Sequence, residues 1–172
     1  MTLAHAARDL ERGAGKTHRF RIRFCSRCGT LFSGRNAHPD VQGRERVCSE
    51  CGMGILLACP RDAMLTPQSS FLIVTRALRV SAVSEAAEGL LAPESEMLGT
   101  SLLQWMSSPL GADELAASVV RAARGTRQLT VLPVIVADQR KRRLGPLEAG
   151  VASCGPPRGA LVTIDRASER DL

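Results

Sequence analysis

Cys25-Ser26-Arg27-Cys28-Gly29 and Cys48-Ser49-Glu50-Cys51-Gly52 repeat one pattern, two cysteines separated by two residues with a glycine directly after. Residues 29–47 lie between the pairs, so the whole reads C-x2-C-x19-C-x2-C. Two residues between cysteines let one tight turn deliver two thiolates. Two such turns complete a tetrahedral shell around an ion held about 2.3 Å from each sulfur. Gly29 and Gly52 fall where each turn needs a positive φ and leaves amides facing sulfur. The pattern assigns one zinc ion to Cys25, Cys28, Cys48 and Cys51. The same thiolates would also suit an iron centre. Four protein ligands leave no coordination position for substrate, so the ion is read as structural, with no catalytic residues around it.

Upstream of the first pair, His18, Phe20, Ile22 and Phe24 alternate with Arg19, Arg21 and Arg23, which predicts a half-buried strand running into Cys25. Arg46-Val47 leads into the second pair, and Ile55-Leu56-Leu57-Ala58 follows it. Residues 18–58 are read as a zinc ribbon. Residues 1–17 form an extension in which Leu3, Ala6, Ala7 and Leu10 have the spacing of a short helix before Gly13 and Gly15 end it. His38, just before Pro39, is read as a loop residue, because four thiolates already fill the shell. Cys59 and Cys154 are read as too isolated to build another site, and Cys154 as an inert buried thiol.

The stretch from Cys59-Pro60-Arg61-Asp62 to Pro67-Gln68-Ser69-Ser70 reads as a linker, placing a boundary between two cores at 59–70. Beyond it, Phe71-Leu72-Ile73-Val74 and Arg79–Val83 are predicted strands, and Ser84 is placed to cap a short helix carrying Ala87, Leu90 and Leu91. Leu98, Leu102, Trp105 and Met106 share one face of a predicted helix, where Trp105 is read as core. A further helix spans about 113–124, with Asp113 and Glu114 at its positive end, Arg121 and Arg124 at its negative end, and Gly125 after it. Its apolar stripe is Leu115, Val119, Ala122 and Ala123. Strands at 129–137, 144–153 and 160–165 complete the chain before a tail at 167–172. Two strands, several helices and three strands make an α+β pattern with an antiparallel sheet.

The composition agrees with a folded chain. Of 172 residues 44% are hydrophobic, but aromatics are 3% with no Tyr, so the core must be Leu, Val, Ile and Ala. No apolar run reaches the roughly 18 residues of a membrane span. Arg8, Asp9, Glu11 and Arg12 stand where a signal peptide would be apolar, so a cytoplasmic protein with no membrane partner is expected. The net charge of +6 sits mostly in residues 1–70, where 11 Lys+Arg face 6 Asp+Glu. That bias keeps nucleic acid open as a partner, with Arg19, Arg21 and Arg23 its best contacts. The basic run Arg140-Lys141-Arg142-Arg143 reads as a solvated turn or as a contact for an acidic partner.

Residues 71–166 resemble a PAS domain. The resemblance rests on Phe71-Leu72-Ile73-Val74, Leu78-Arg79-Val80-Ser81-Ala82-Val83-Ser84, Ala86-Ala87 with Leu90-Leu91, Leu98-Gly99-Thr100-Ser101-Leu102 and the three closing strands. Ser84 stands where the family often has Asn, and Ala92 where it often has Gly. The resemblance implies a five-stranded antiparallel sheet with helices on one face. It also implies a domain that senses a small ligand, carries a cofactor or docks a protein. Haem is not expected, because His5, His18 and His38 all precede the boundary, and flavin is not expected, because residues 84–124 contain no Cys.

The motifs of nucleotide-binding loops, serine hydrolases and zinc proteases are missing, so no enzymatic activity is expected. The sequence reads as a cytoplasmic regulatory adapter whose PAS-like domain senses or docks and whose ribbon presents a contact surface to a protein partner. Two alternatives stay open: a transcription-associated nucleic-acid-binding protein, and a zinc protein that responds to thiol oxidation. The strands at 71–74, 129–137 and 160–162 are apolar on both faces, so the outer face of the sheet must be covered. The N-terminal helix, the ribbon or a second copy would do this, and a homodimer through the sheet is the favoured expectation.

Overall fold

The computed structural model describes residues 21–32, 46–63, 66, 68–126, 128–137 and 145–167. The N-terminal helix, all three histidines, Arg19 and the basic run at 140–143 lie outside the described residues.

The alternation around Ile22 and Phe24 forms a strand, β1 (Arg21–Cys25), that pairs on one side with β2 (Leu31–Phe32) and on the other with β3 (Leu56–Pro60). Both pairings are antiparallel. Cys59 and Pro60 pair with Ile22 and Arg21, so the strand runs two residues into the stretch read as a linker. Ile22, Phe24, Leu31, Leu57 and Cys59 form the inner apolar face of this small sheet.

The second sheet contains β4 (Ser70–Val74), β5 (Val80–Val83), β6 (Met106–Ser107), β7 (Thr130–Val136), β8 (Leu147–Cys154) and β9 (Gly159–Arg166), in the spatial order β5-β4-β9-β8-β7-β6 and antiparallel throughout. It has six strands where five were expected, because Met106 and Ser107 pair with Val136 and Ile135. This also corrects the helix read over Leu98–Met106. The α-helix Glu94–Met97 ends before this stretch, and within it the chain is helical only as a single 3-10 turn over Leu102–Gln104. Gly99 leaves the helix at φ 75° and donates its N–H to Val80 O, which ties the segment to the sheet.

Helices α1 (Glu85–Leu90), α2 (Glu94–Met97) and α3 (Ala112–Ala123) cover one face of the second sheet. The α3 stripe is the one predicted: Leu115, Val119, Ala122 and Ala123 are buried, and they pack with Leu72, Val134, Val151 and Val162 of the sheet. Full burial of Leu115 or Val119 contributes about 1.5–3 kcal/mol each. Trp105 is core, and its Nε1 donates to Thr100 Oγ1 at 2.7 Å. Ser84 caps α1 as expected, accepting from Ala87 N–H, and the same oxygen accepts Phe71 N–H from β4.

The opposite face of the sheet is covered in part by the ribbon. Phe24, Leu57 and Cys59 join Phe71, Ile73, Ala152, Cys154 and Leu161 in one buried cluster, with the Phe24 and Phe71 rings edge to face at 5.5 Å. The two cores expected on either side of the linker therefore share a seam. On β7 the alternation is complete: Leu132, Val134 and Val136 point inward, while Val131 and Ile135 remain 58% and 60% exposed on the outer side. Among the described residues no helix is long and apolar enough to cross a membrane.

Candidate metal centre

The end of β1 carries Cys25 into a turn that delivers Cys28. The backbone between Val47 and Ile55, which form an antiparallel bridge, makes a matching turn that delivers Cys48 and Cys51. The turns are near copies. Gly29 N–H donates to Cys25 O at 3.1 Å and Gly52 N–H donates to Cys48 O at 2.9 Å, with the two glycines at φ 73° and 68°. The conformation expected from their position after each cysteine pair is the one present. Ser26 locks the turns together: its N–H donates to Ile55 O at 2.9 Å and its Oγ accepts from Ile55 N–H at 3.0 Å.

All four predicted ligands are brought together, their sulfur atoms within 4.8 Å of one another. Cys25 Sγ lies 3.6 Å from Cys51 Sγ, and Cys28 Sγ lies 3.8 Å from Cys48 Sγ. A tetrahedron with metal–sulfur bonds of about 2.3 Å has edges of about 3.8 Å, so the spacing suits a four-coordinate ion. Among the described residues this is the one group of three or more Cys, His, Asp or Glu side chains arranged to hold a metal.

Burial pushes the Cys25 thiol up to about 12 and raises that of Cys48 as well, since both lose water around the thiolate. Cys51 is the reverse case: the backbone amides of Met53 and Gly54 point at its sulfur and hold it down to about 6. Arg27 N–H likewise donates to Cys25 Sγ at 3.3 Å, and Gly54 N–H donates to Cys51 Sγ at 3.4 Å. Such amides would share the negative charge that four thiolates accumulate, of which a divalent cation would offset half.

Two residues at the centre went unmarked in the sequence. Gly54 packs so close to the cluster that a Cβ there would collide with Cys25 Sγ and with the Arg27 backbone. The C-G-x-G spacing after Cys51 was the available signal. Arg27, inside the first turn, extends away from the sulfurs to the acidic ends of the helices. Its guanidinium meets Glu88 Oε2 at 2.8 Å, Glu94 Oε2 at 3.2 Å and Glu85 Oε1 at 3.9 Å, while its carbonyl accepts Glu85 N–H at 3.0 Å. The Glu94 backbone N–H and then Arg27 hold the Glu88 carboxyl below its ordinary range. The metal turn is thereby fastened to the helical layer on one side and, through Phe24, to the sheet on the other.

No protein-family model matches the chain, and no curated protein matches it.

Proposed function

We propose that the chain is a non-enzymatic regulatory adapter: a ribbon folded around one structural zinc ion, fixed against a PAS-like domain that senses a small ligand or docks a protein. Zinc is favoured because it accepts four thiolates in tetrahedral geometry without redox demands. The PAS-like reading is supported by two strands, then helices interrupted by the short β6, then three strands, with α1, α2 and α3 on one face of an antiparallel sheet.

The observation that carries the adapter reading lies at the second metal turn. Val47, Met53 and Ile55 stand 55%, 69% and 41% exposed on the backbone that carries the second cysteine pair. Three exposed apolar side chains beside Arg46 suit a protein surface, since a nucleic-acid contact would rest mainly on cations. The test is a Met53→Glu variant. A stoichiometric protein complex isolated with the wild type should be lost with this variant, whose metal content stays intact. Salt-sensitive binding to random oligonucleotides, equal in both proteins, would favour the nucleic-acid alternative. Val131 and Ile135 support a second reading, the homodimer through the uncovered part of the sheet. Light scattering of wild type against Ile135→Glu decides that point.

A further inference from the structure

Cys59 and Cys154 lie far apart in sequence and outside the metal cluster. The fold sets them face to face. Ala58 N–H donates to Gly155 O at 2.9 Å and Gly155 N–H donates back to Ala58 O at 3.1 Å, an isolated antiparallel bridge between β3 and the end of β8. In an antiparallel pair, one step forward on one strand stands opposite one step back on the other. Continued by one residue, that register sets Cys59 against Cys154 in a non-hydrogen-bonded position, the kind in which Cα atoms lie about 4.5 Å apart and side chains are closest. That spacing lies within the range a disulfide spans, about 4.4–6.8 Å.

The packing agrees with the register. Both residues belong to the cluster at the seam, 0% and 2% exposed. A Cβ built on Gly159 would meet Ile73 Cγ2 at 3.4 Å and Cys154 Sγ at 3.8 Å, which places the sulfur on the face that receives the ribbon. Cys59 projects from the ribbon's inner face, beside Leu57. The two sulfur-bearing side chains thus enter the same apolar seam from opposite sheets.

We propose that Cys59 and Cys154 are a redox pair that closes a reversible disulfide between ribbon and sheet, with a hydroperoxide as the oxidant. One thiolate attacks the peroxide oxygen, the O–O bond breaks, and the departing hydroxide or alkoxide takes up a proton, leaving a sulfenic acid. The second thiol attacks the sulfenic sulfur, the S–O bond breaks, water leaves and the S–S bond forms. Two electrons pass from the sulfur pair to the peroxide. A small dithiol returns both residues to thiols. Because the pair is buried, oxidation proceeds through opening of the seam, and the closed disulfide then prevents the ribbon from leaving the sheet.

The test treats the metal-loaded full chain, purified reduced, with hydrogen peroxide. The reaction is stopped by denaturing in an excess of alkylating reagent, and the unreduced digest is mapped by mass spectrometry. The expected product is a peptide joining Cys59 to Cys154, lighter by two hydrogens and split by dithiothreitol. It should appear before Cys25, Cys28, Cys48 and Cys51 are consumed. Cys154→Ser should abolish it and leave Cys59 oxidised only as far as the sulfenic acid. Should that variant fail to fold, the wild-type map decides alone. Recovery of Cys59 and Cys154 as alkylated thiols, or linkage of either only to metal-ligand cysteines, overturns the proposal.

Discussion

Replacing Arg27 by Met keeps most of the stem and removes the charge that joins the first metal turn to α1 and α2. The structure sets the size of the effect. Arg27 and Glu88 are 2.8 Å apart with side chains 21% and 26% exposed, so the pair is shielded but not dry. A charge-assisted hydrogen bond contributes about 1.5–3 kcal/mol, and the residual exposure argues for the lower end. Glu94, at 3.2 Å and 33% exposed, adds about 0.5 kcal/mol by the same reasoning. Glu85, 55% exposed at 3.9 Å, adds nothing measurable. The expected loss is about 2 kcal/mol, or a fall in melting temperature of about 4–8 °C for a chain of this length. Differential scanning calorimetry of the metal-loaded proteins measures it. Raising the salt to about 1 M should narrow the gap, because the Debye length then falls to about 3 Å. A double-mutant cycle with Glu88→Gln isolates the pair. Equal melting temperatures within a degree, or a gap indifferent to salt, would refute the view that this cluster fastens the ribbon to the helices.

Gly54→Ala should lower metal affinity at least about tenfold, since its new methyl collides with Cys25 Sγ, and competition with a chromogenic chelator reads this directly. Ser84→Ala removes the acceptor for both Ala87 N–H and Phe71 N–H; urea unfolding should show a loss of about 1–3 kcal/mol, most of it from the buried amide of β4. Burial holds Cys25 up to about 12 and raises Cys48, so metal binding at neutral pH must expel a proton from each. Affinity should therefore fall as the pH is lowered. Titration calorimetry in buffers of different ionisation enthalpy should give heats that vary with the buffer, and identical heats would contradict the shift.

What the sequence made legible was local. The four ligands and the two positive-φ glycines follow from spacing within a few residues, and the α3 stripe follows from the 3.6-residue period of a single helix. Residues 98–106 misled because a turn, a 3-10 turn and a two-residue strand can bury Leu102, Trp105 and Met106 as well as one helix can. The short strand depends on Val136, far along the chain, and no local pattern announces it. The same holds for the seam. The alternation makes Phe24 half-buried and the apolar run leaves Phe71 needing cover, yet nothing in either stretch says that each covers the other. Arg27 and Glu88, 61 residues apart, and the bridge of Ala58 with Gly155 beside Cys59 and Cys154 are likewise consequences of the docked sheets.

Metal analysis of the purified chain, set beside its absorption spectrum, decides whether the four cysteines hold zinc. One zinc ion per chain, no visible absorption band, and loss of the ion with its turns in Cys48→Ser are the expected results. Because Phe24 and Leu57 pack against Phe71 and Leu161, that variant should also melt at a lower temperature throughout, and not in the ribbon alone. A metal-free wild type, or a protein coloured by iron bound to thiolate, would contradict the zinc assignment.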